Sequence, residues 1–413
     1  MATFTPITWV INTVLGQFEQ DPDNCEENRH IVEWLTPIRS DATHYDTISK
    51  RTPGTGEWVL CSTQFKEWIS GQRRILLLDG KPGSGKTIIA AIVIEHLMDL
   101  SLPYLLGTDA VLFLYCRHNE TWTISQYLGS LIAQLFTNYR GNSSVAQHVL
   151  NSYEIHQIRR SQPSETELIT ILSNMILSFT NVRVVLDALD ELPDCAQIEL
   201  MSVLRRLPVS LFFTSRIIGL EIFDLPNDTI HMTIGDQNQG DIRLFLHKTI
   251  PRTASVARIV RQNAEFLEEI CDKILAISNG MFLVASLKSQ SLQGYTTMNS
   301  LSNSLDELSD DVQSMYLALM NRINSQKGEY PALAKRAITW IVYARRPLTV
   351  SELQHALGIR EGSNSFSKRD IPVQDMLTTS SCGIIEIQSR SGTVRLVREL
   401  LHLLWVIDAG SLN

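Results

Sequence analysis

An α/β architecture on a parallel sheet, followed by a helical region and a partial winged-helix domain, is the fold that this 413-residue sequence predicts. Three observations predict it. Between about residues 51 and 250, short apolar runs alternate with helical stretches, as a parallel α/β sheet requires. Within that span, Gly80-Lys81-Pro82-Gly83-Ser84-Gly85-Lys86-Thr87 fits G-x-x-x-x-G-K-[ST], directly after an apolar run and before an apolar, alanine-containing helix. Beyond about residue 251, helical periodicity dominates until two short β-like runs near the end.

Residues 1–50 read as a helical lead-in and linker, with helical spacing at Ile7–Phe18 and Ile31–Leu35. Fifty residues rarely build a core alone, so a docking helix for the next domain is expected. Residues 51–250 carry strand candidates at Ile75–Leu78, Ala110–Tyr115, Val182–Leu186 and Leu211–Thr214. They are apolar over most of their length, the pattern of a sheet covered on both faces. Between them lie helical segments Ile88–Leu97, Ile124–Phe136 and Leu168–Phe179. Residues 251–325 form a helical domain, with periodicity at Phe266–Ser278, Phe282–Ser289 and Val312–Ile323. Residues 326–413 read as winged-helix-like: Ala332–Tyr343, then Val350–Leu357 with Thr349 as its N-cap, then runs Gly383–Gln388 and Thr393–Val397 joined by Ser389–Gly392.

The net charge of −8 and the lack of a basic run argue against nucleic acid as a partner, and the winged-helix region has no concentrated basic face. Six scattered cysteines without a CxxC pair argue against structural zinc and a disulfide framework, which makes the reducing cytoplasm the expected compartment. No run of 18 apolar residues occurs, so no membrane span is expected.

The glycine-rich segment between strand and helix is a phosphate cradle: backbone N–H groups and a helix N-terminus converge on a polyphosphate. Gly80, Pro82, Gly83, Ser84, Gly85, Lys86 and Thr87 are its candidate binding residues. Lys86 would reach the β/γ-phosphates and the Thr87 hydroxyl would bind Mg²⁺. A P-loop needs carboxylates to hydrolyse anything, and Val184-Val185-Leu186-Asp187-Ala188-Leu189-Asp190-Glu191 supplies them. The apolar run ends at Asp187, the metal-side candidate, with Asp190 and Glu191 just beyond to orient or deprotonate water. Leu211-Phe212-Phe213-Thr214-Ser215-Arg216 is a further apolar run ending in polar residues, with Arg216 a candidate for sensing the γ-phosphate.

A P-loop, a D-x-x-D-E segment and a strand ending T-S-R together resemble the NACHT-type branch of the STAND NTPases, in particular the fungal set with a nephrocystin-like N-terminal NTPase module. Arg51-Thr52-Pro53-Gly54-Thr55-Gly56-Glu57-Trp58 with Phe65-Lys66-Glu67-Trp68 is similar to that set's lead-in. Gly280-Met281-Phe282-Leu283 and Ala344-Arg345-Arg346-Pro347-Leu348-Thr349 look like its helical and winged-helix regions, so the resemblance covers roughly residues 30 to 397. It implies a signalling switch: ADP holds a closed form, and exchange for ATP opens it and drives homo-oligomerisation, as in fungal self/non-self recognition. It also implies that Gly54-Thr55-Gly56 approach the nucleotide base and that an unknown protein partner receives the signal. Neither an effector nor a repeat array is recognisable. The tail departs from the set too, because Arg398–Trp405 stands where the set has a His followed by a helix, so the chain reads as a truncated or mis-spliced relative with closed-state control in doubt.

Three functions stay open: a regulatory NTPase switch with slow hydrolysis, a non-catalytic nucleotide-binding scaffold, and a remodelling ATPase. The first is favoured over the third because no substrate-threading loop or second ATPase module can be identified. ATP and GTP both stay open, and the lack of an Asn/Thr-Lys-x-Asp motif after Asp187 leans towards adenine.

Overall fold

The computed structural model describes residues 22–396 except 102–108, 118–121, 140–142, 217–224, 253, 261–262, 293–294, 296, 307–319, 322, 360–367, 382–383 and 389. The predicted helix at Ile7–Phe18, most of the one at Val312–Ile323, and the tail beyond Leu396 lie outside the described residues.

Successive side chains of a strand point to opposite faces, so an apolar run has two faces to cover. The chain covers both. Strands β1 (Ile75–Asp79), β2 (Asp109–Tyr115), β3 (Asn181–Asp187), β4 (Ser210–Ser215) and β5 (Ile230–Thr233) form one sheet in the order β2-β3-β4-β1-β5, with parallel pairing throughout. Leu77, Leu112, Leu114, Val184, Leu186, Leu211 and Phe213 face one core; Leu76, Leu78, Val111, Phe113, Val185 and Phe212 face the other.

Four of the first five helices reach these cores. Ile31 and Leu35 of α1 (Pro22–Leu35) enter the first one, so the lead-in docks on the sheet as expected. Helix α2 (Ser40–Ile48) is tied down by His44, whose ring nitrogens meet the Tyr115 hydroxyl at 2.8 Å and Glu95 at 2.9 Å. Val59 of the short α3 (Glu57–Cys61), with Phe65 and Trp68 of α4 (Thr63–Ile69), packs into the second core. Helix α5 (Lys86–Ser101) crosses that same face.

On the first face, α6 (Ile124–Asn138) starts at a capping box made by Thr123 and Gln126. It is followed by α7 (Ser143–Arg159), α8 (Glu165–Ile176) and α9 (Asp194–Arg206), all contributing to that core.

A third cluster joins Ile242 and Leu246 of α10 (Gln237–Thr249), with Ile250 just after it, to later helices: α11 (Ala254–Val260), α12 (Ala264–Ser278), α13 (Phe282–Ser291) and α14 (Met298–Asp306). The helical cluster thus draws on residues upstream of 251. A fourth cluster combines α15 (Tyr330–Tyr343), α16 (Val350–Leu357) and α17 (Gln374–Ser380) with an antiparallel sheet of β6 (Leu348–Thr349), β7 (Ile385–Ile387) and β8 (Thr393–Leu396), ordered β6-β8-β7. Thr349 caps α16 in a capping box with Glu352, at the position the sequence predicts.

Helix α13 belongs to both of these clusters. Ala285 packs in the third, and Leu283, Val284 and Leu287 pack in the fourth.

The β7–β8 hairpin folds back onto α2. Asp46, 3% exposed, accepts hydrogen bonds from the Arg390 backbone N–H (3.1 Å) and the Ser391 hydroxyl (3.0 Å). The Arg390 guanidinium lies 4.9 Å from the centre of the Tyr45 ring, and Lys50 pairs with Glu386.

Candidate nucleotide-binding site

The loop between β1 and α5 needs backbone that L-residues with a Cβ resist, and glycine supplies it. Gly83 and Gly85 have φ of 73° and 97°. A Cβ on Gly80 would come within 2.8 Å of the Ser84 hydroxyl. The Lys86 ammonium lies back over this loop and donates to the carbonyls of Gly80 (2.7 Å) and Lys81 (3.0 Å).

Strand β4 stands between the P-loop strand and the strand that ends in Asp187. Its last residues therefore touch Asp187. The Thr214 hydroxyl donates to Asp187 Oδ1 at 2.8 Å and accepts from the Ala188 N–H at 2.7 Å. Both side chains are fully buried. This one hydroxyl fixes the carboxylate and the turn after it, where Ala188 holds a left-handed φ of 53°. An alanine in that region stores strain of roughly 1–2 kcal/mol.

A short 3₁₀ turn, Leu189–Glu191, follows and carries Asp190 and Glu191. Arg216, at the end of β4, forms an ion pair with Asp190 Oδ2. The sequence treats these two as separate participants; the structure joins them, and Asp190 Oδ1 stays buried without a hydrogen-bond partner.

The helical region also reaches the loop. The Leu283 N–H, at the start of α13, donates to the Gly83 carbonyl at 3.1 Å. The Phe282 ring lies 3.5 Å from where a Gly85 Cβ would stand. The Asn238 amide, in the first turn of α10, donates to the Ser84 carbonyl at 2.6 Å.

Thr214 and Asn238 are the site residues that the sequence reading lacks. Thr214 had a signal, since it ends the same apolar run that points to Arg216. Asn238 had none, because only tertiary packing brings residue 238 to residue 84.

The Gly54-Thr55-Gly56 turn, with positive φ at both glycines, packs against α5 and α10. A Cβ on Gly56 would stand 2.3 Å from Ile92 Cδ1, and the Gly56 N–H donates to Asp241 at 2.7 Å. Burial pushes the Asp241 carboxyl up, partly opposed by that hydrogen bond.

The residues present fit a bound nucleotide. Ser84 Oγ and Asp79 Oδ1 are buried polar atoms without a hydrogen-bond partner beside a glycine cradle, and a cationic side chain lies across it. Among the described residues, no three His, Cys, Asp or Glu side chains gather into a metal cage.

Residues 54–216 match the family described as Nephrocystin 3, N-terminal. Vegetative incompatibility protein HET-E-1 of Podospora anserina is 23% identical over 310 residues, which span 72% of this chain and 22% of that protein. The chain thus corresponds to less than a quarter of that relative's length.

Among solved structures, the Aeropyrum pernix ORC2 protein in its ADP form is 12% identical, with a TM-score of 0.39, covering 92% of this chain and 98% of that one. The Aeropyrum pernix ORC1 protein in complex with DNA is 14% identical, with a TM-score of 0.37, covering 89% and 96%. From the phosphate loop, the buried Asp187 and the match over residues 54–216, the chain carries a NACHT/nephrocystin-like P-loop NTPase module.

Proposed function

We propose that this chain is a nucleotide-controlled regulatory switch that binds ATP or ADP with Mg²⁺ and hydrolyses slowly. The observation that carries it is the hydrogen bond from Leu283 N–H to the Gly83 carbonyl. The phosphate loop is held from the helical region, so a change in what the loop carries has a mechanical route outward.

In this reading Gly80, Pro82, Gly83, Ser84 and Gly85 cradle the phosphates and Lys86 exchanges its loop carbonyls for phosphate oxygens. Thr87 and Asp187 hold Mg²⁺, which when bound neutralises developing phosphate charge. Glu191 orients water. Asp190 is held by Arg216, and hydrolysis waits until Arg216 turns to the γ-phosphate; that waiting step favours slow turnover. The 23% likeness to an incompatibility protein supports a signalling role in fungal self/non-self recognition, with homo-oligomerisation and a protein partner downstream. A cytoplasmic protein without a nucleic-acid partner is consistent with the net charge of −8. Among the described residues, no helix is long and apolar enough to cross a membrane.

Release of labelled phosphate from ATP tests the reading. Slow turnover is expected, lowered further in Glu191→Gln while ATP binding persists. Many turnovers per minute would overturn the switch in favour of a remodelling ATPase, and none at all would favour a scaffold.

A further inference from the structure

One side chain outside the motifs joins the phosphate loop to the turn that starts α13. Asn238 is 1% exposed, and its amide nitrogen reaches two backbone carbonyls from different parts of the chain, Ser84 at 2.6 Å and Gly280 at 3.1 Å. Of the two ends of a side-chain amide, only the NH₂ can donate to two carbonyls, so the nitrogen is the end that faces them.

Gly280 sits in a left-handed turn, with φ of 77°, between α12 and α13. Three residues on, Leu283 N–H holds the Gly83 carbonyl, so this turn and the loop are stitched at two points. Beyond the turn, α13 packs in both the helical and the C-terminal clusters. Asn238 is itself anchored, because α10 contributes Ile242 and Leu246 to the helical cluster.

We infer that Asn238 is a positioning residue of the nucleotide site, which fixes the curve of the phosphate loop and transmits its movement to the Gly280 turn and α13. This rests on the nucleotide-binding reading of the loop. Asn238 lies more than 150 residues from the P-loop in sequence and belongs to no motif there, so nothing but the two hydrogen bonds and its burial assigns it this role.

The test is hydrogen exchange on the full chain with and without Mg-ADP. In the wild type, Mg-ADP slows exchange at residues 80–89 and also at 278–285. Asn238→Asp keeps the shape but turns a carboxylate oxygen towards a carbonyl. There the response at 80–89 persists, the response at 278–285 is lost, and Mg-ADP affinity falls about tenfold, the equivalent of one buried hydrogen bond. Asn238→Ala, which keeps no polar group, behaves alike. A merely structural role would speed exchange at both places without removing the nucleotide response at 278–285, and an intact response there in both variants overturns the inference.

Failure of the underlying reading looks different, since the wild type would then bind no Mg-ADP. The link is in that case judged on the nucleotide-free protein. Both substitutions must speed exchange at 80–89 and 278–285 together while leaving β2 unchanged, and unaltered exchange at those residues refutes it.

Discussion

Thr214 shows how much one hydroxyl can decide. It donates to the buried Asp187 carboxylate and accepts from the N–H of a strained alanine, so the geometry of Asp187-Ala188 depends on it. Thr214→Val keeps the shape and removes both hydrogen bonds, leaving a buried N–H without its acceptor. That should cost on the order of 1–3 kcal/mol. Thr214→Ser should retain most of the stability. Urea unfolding of the two variants checks this, and equal midpoints for Val and Ser would refute the relay. The Asp190–Arg216 pair is a second lesson at this scale. Sequence spacing can nominate both side chains, but a strand order that sets β4 beside β3 is what brings them together.

At the scale of elements, the strands of the central sheet were legible because burial on both faces writes itself as a continuous apolar run. Strand β5 was not: Ile230-His231-Met232-Thr233 is four residues long and buried only at alternate positions, too short a signal beside a loop. Helix α7 escaped for another reason. Its buried positions, Val145, Val149, Ser152 and His156, are spaced as a helix but half of them are polar. His156 is buried there because Glu167 and Ser161 satisfy its ring nitrogens, at 3.0 Å and 2.7 Å. Helix α9 could have been read, since Gln197, Leu200, Met201 and Leu204 follow a helical stripe.

The start of α16 was legible from Thr349 and carries a prediction about pH. The hydrogen-bonded Arg346 guanidinium, with the Thr349 N–H, lowers the Glu352 carboxyl from 4.5 to about 2. A carboxylate depressed on folding adds stability above its unfolded pKa, and that stability is lost as pH falls from about 4.5 through about 2. The pair is solvent-exposed, so the effect on the whole chain is small and should be sought locally. Amide exchange at Val350–Leu357 should quicken over that pH range in the wild type and become pH-independent relative to neighbouring helices in Glu352→Gln. An unchanged profile in Glu352→Gln would remove the assignment.

Across the whole molecule, the hairpin and α2 hold the two ends of the described chain together. Asp46 takes two hydrogen bonds from the β7–β8 turn, and Lys50 pairs with Glu386 at its side. The Lys50–Glu386 pair is solvent-exposed and worth little alone, whereas Asp46 is buried and its loss leaves donors unpaired. Asp46→Ala should therefore free the hairpin and enlarge the particle in small-angle scattering. Lys50→Glu should loosen it slightly, and adding Glu386→Lys should restore the contact. No change in size or in hairpin exchange for Asp46→Ala would show that the clusters are held by their apolar packing alone.

The central claim is that the Gly80–Thr87 loop holds a nucleotide. Native mass spectrometry of the purified chain, incubated with Mg-ADP and then exchanged into volatile buffer, tests it most directly. The wild type should carry one added nucleotide mass, and Lys86→Ala, folded to the same circular-dichroism spectrum, should carry none. A wild-type chain of bare polypeptide mass, or a Lys86→Ala chain that retains nucleotide as well as the wild type, would contradict it.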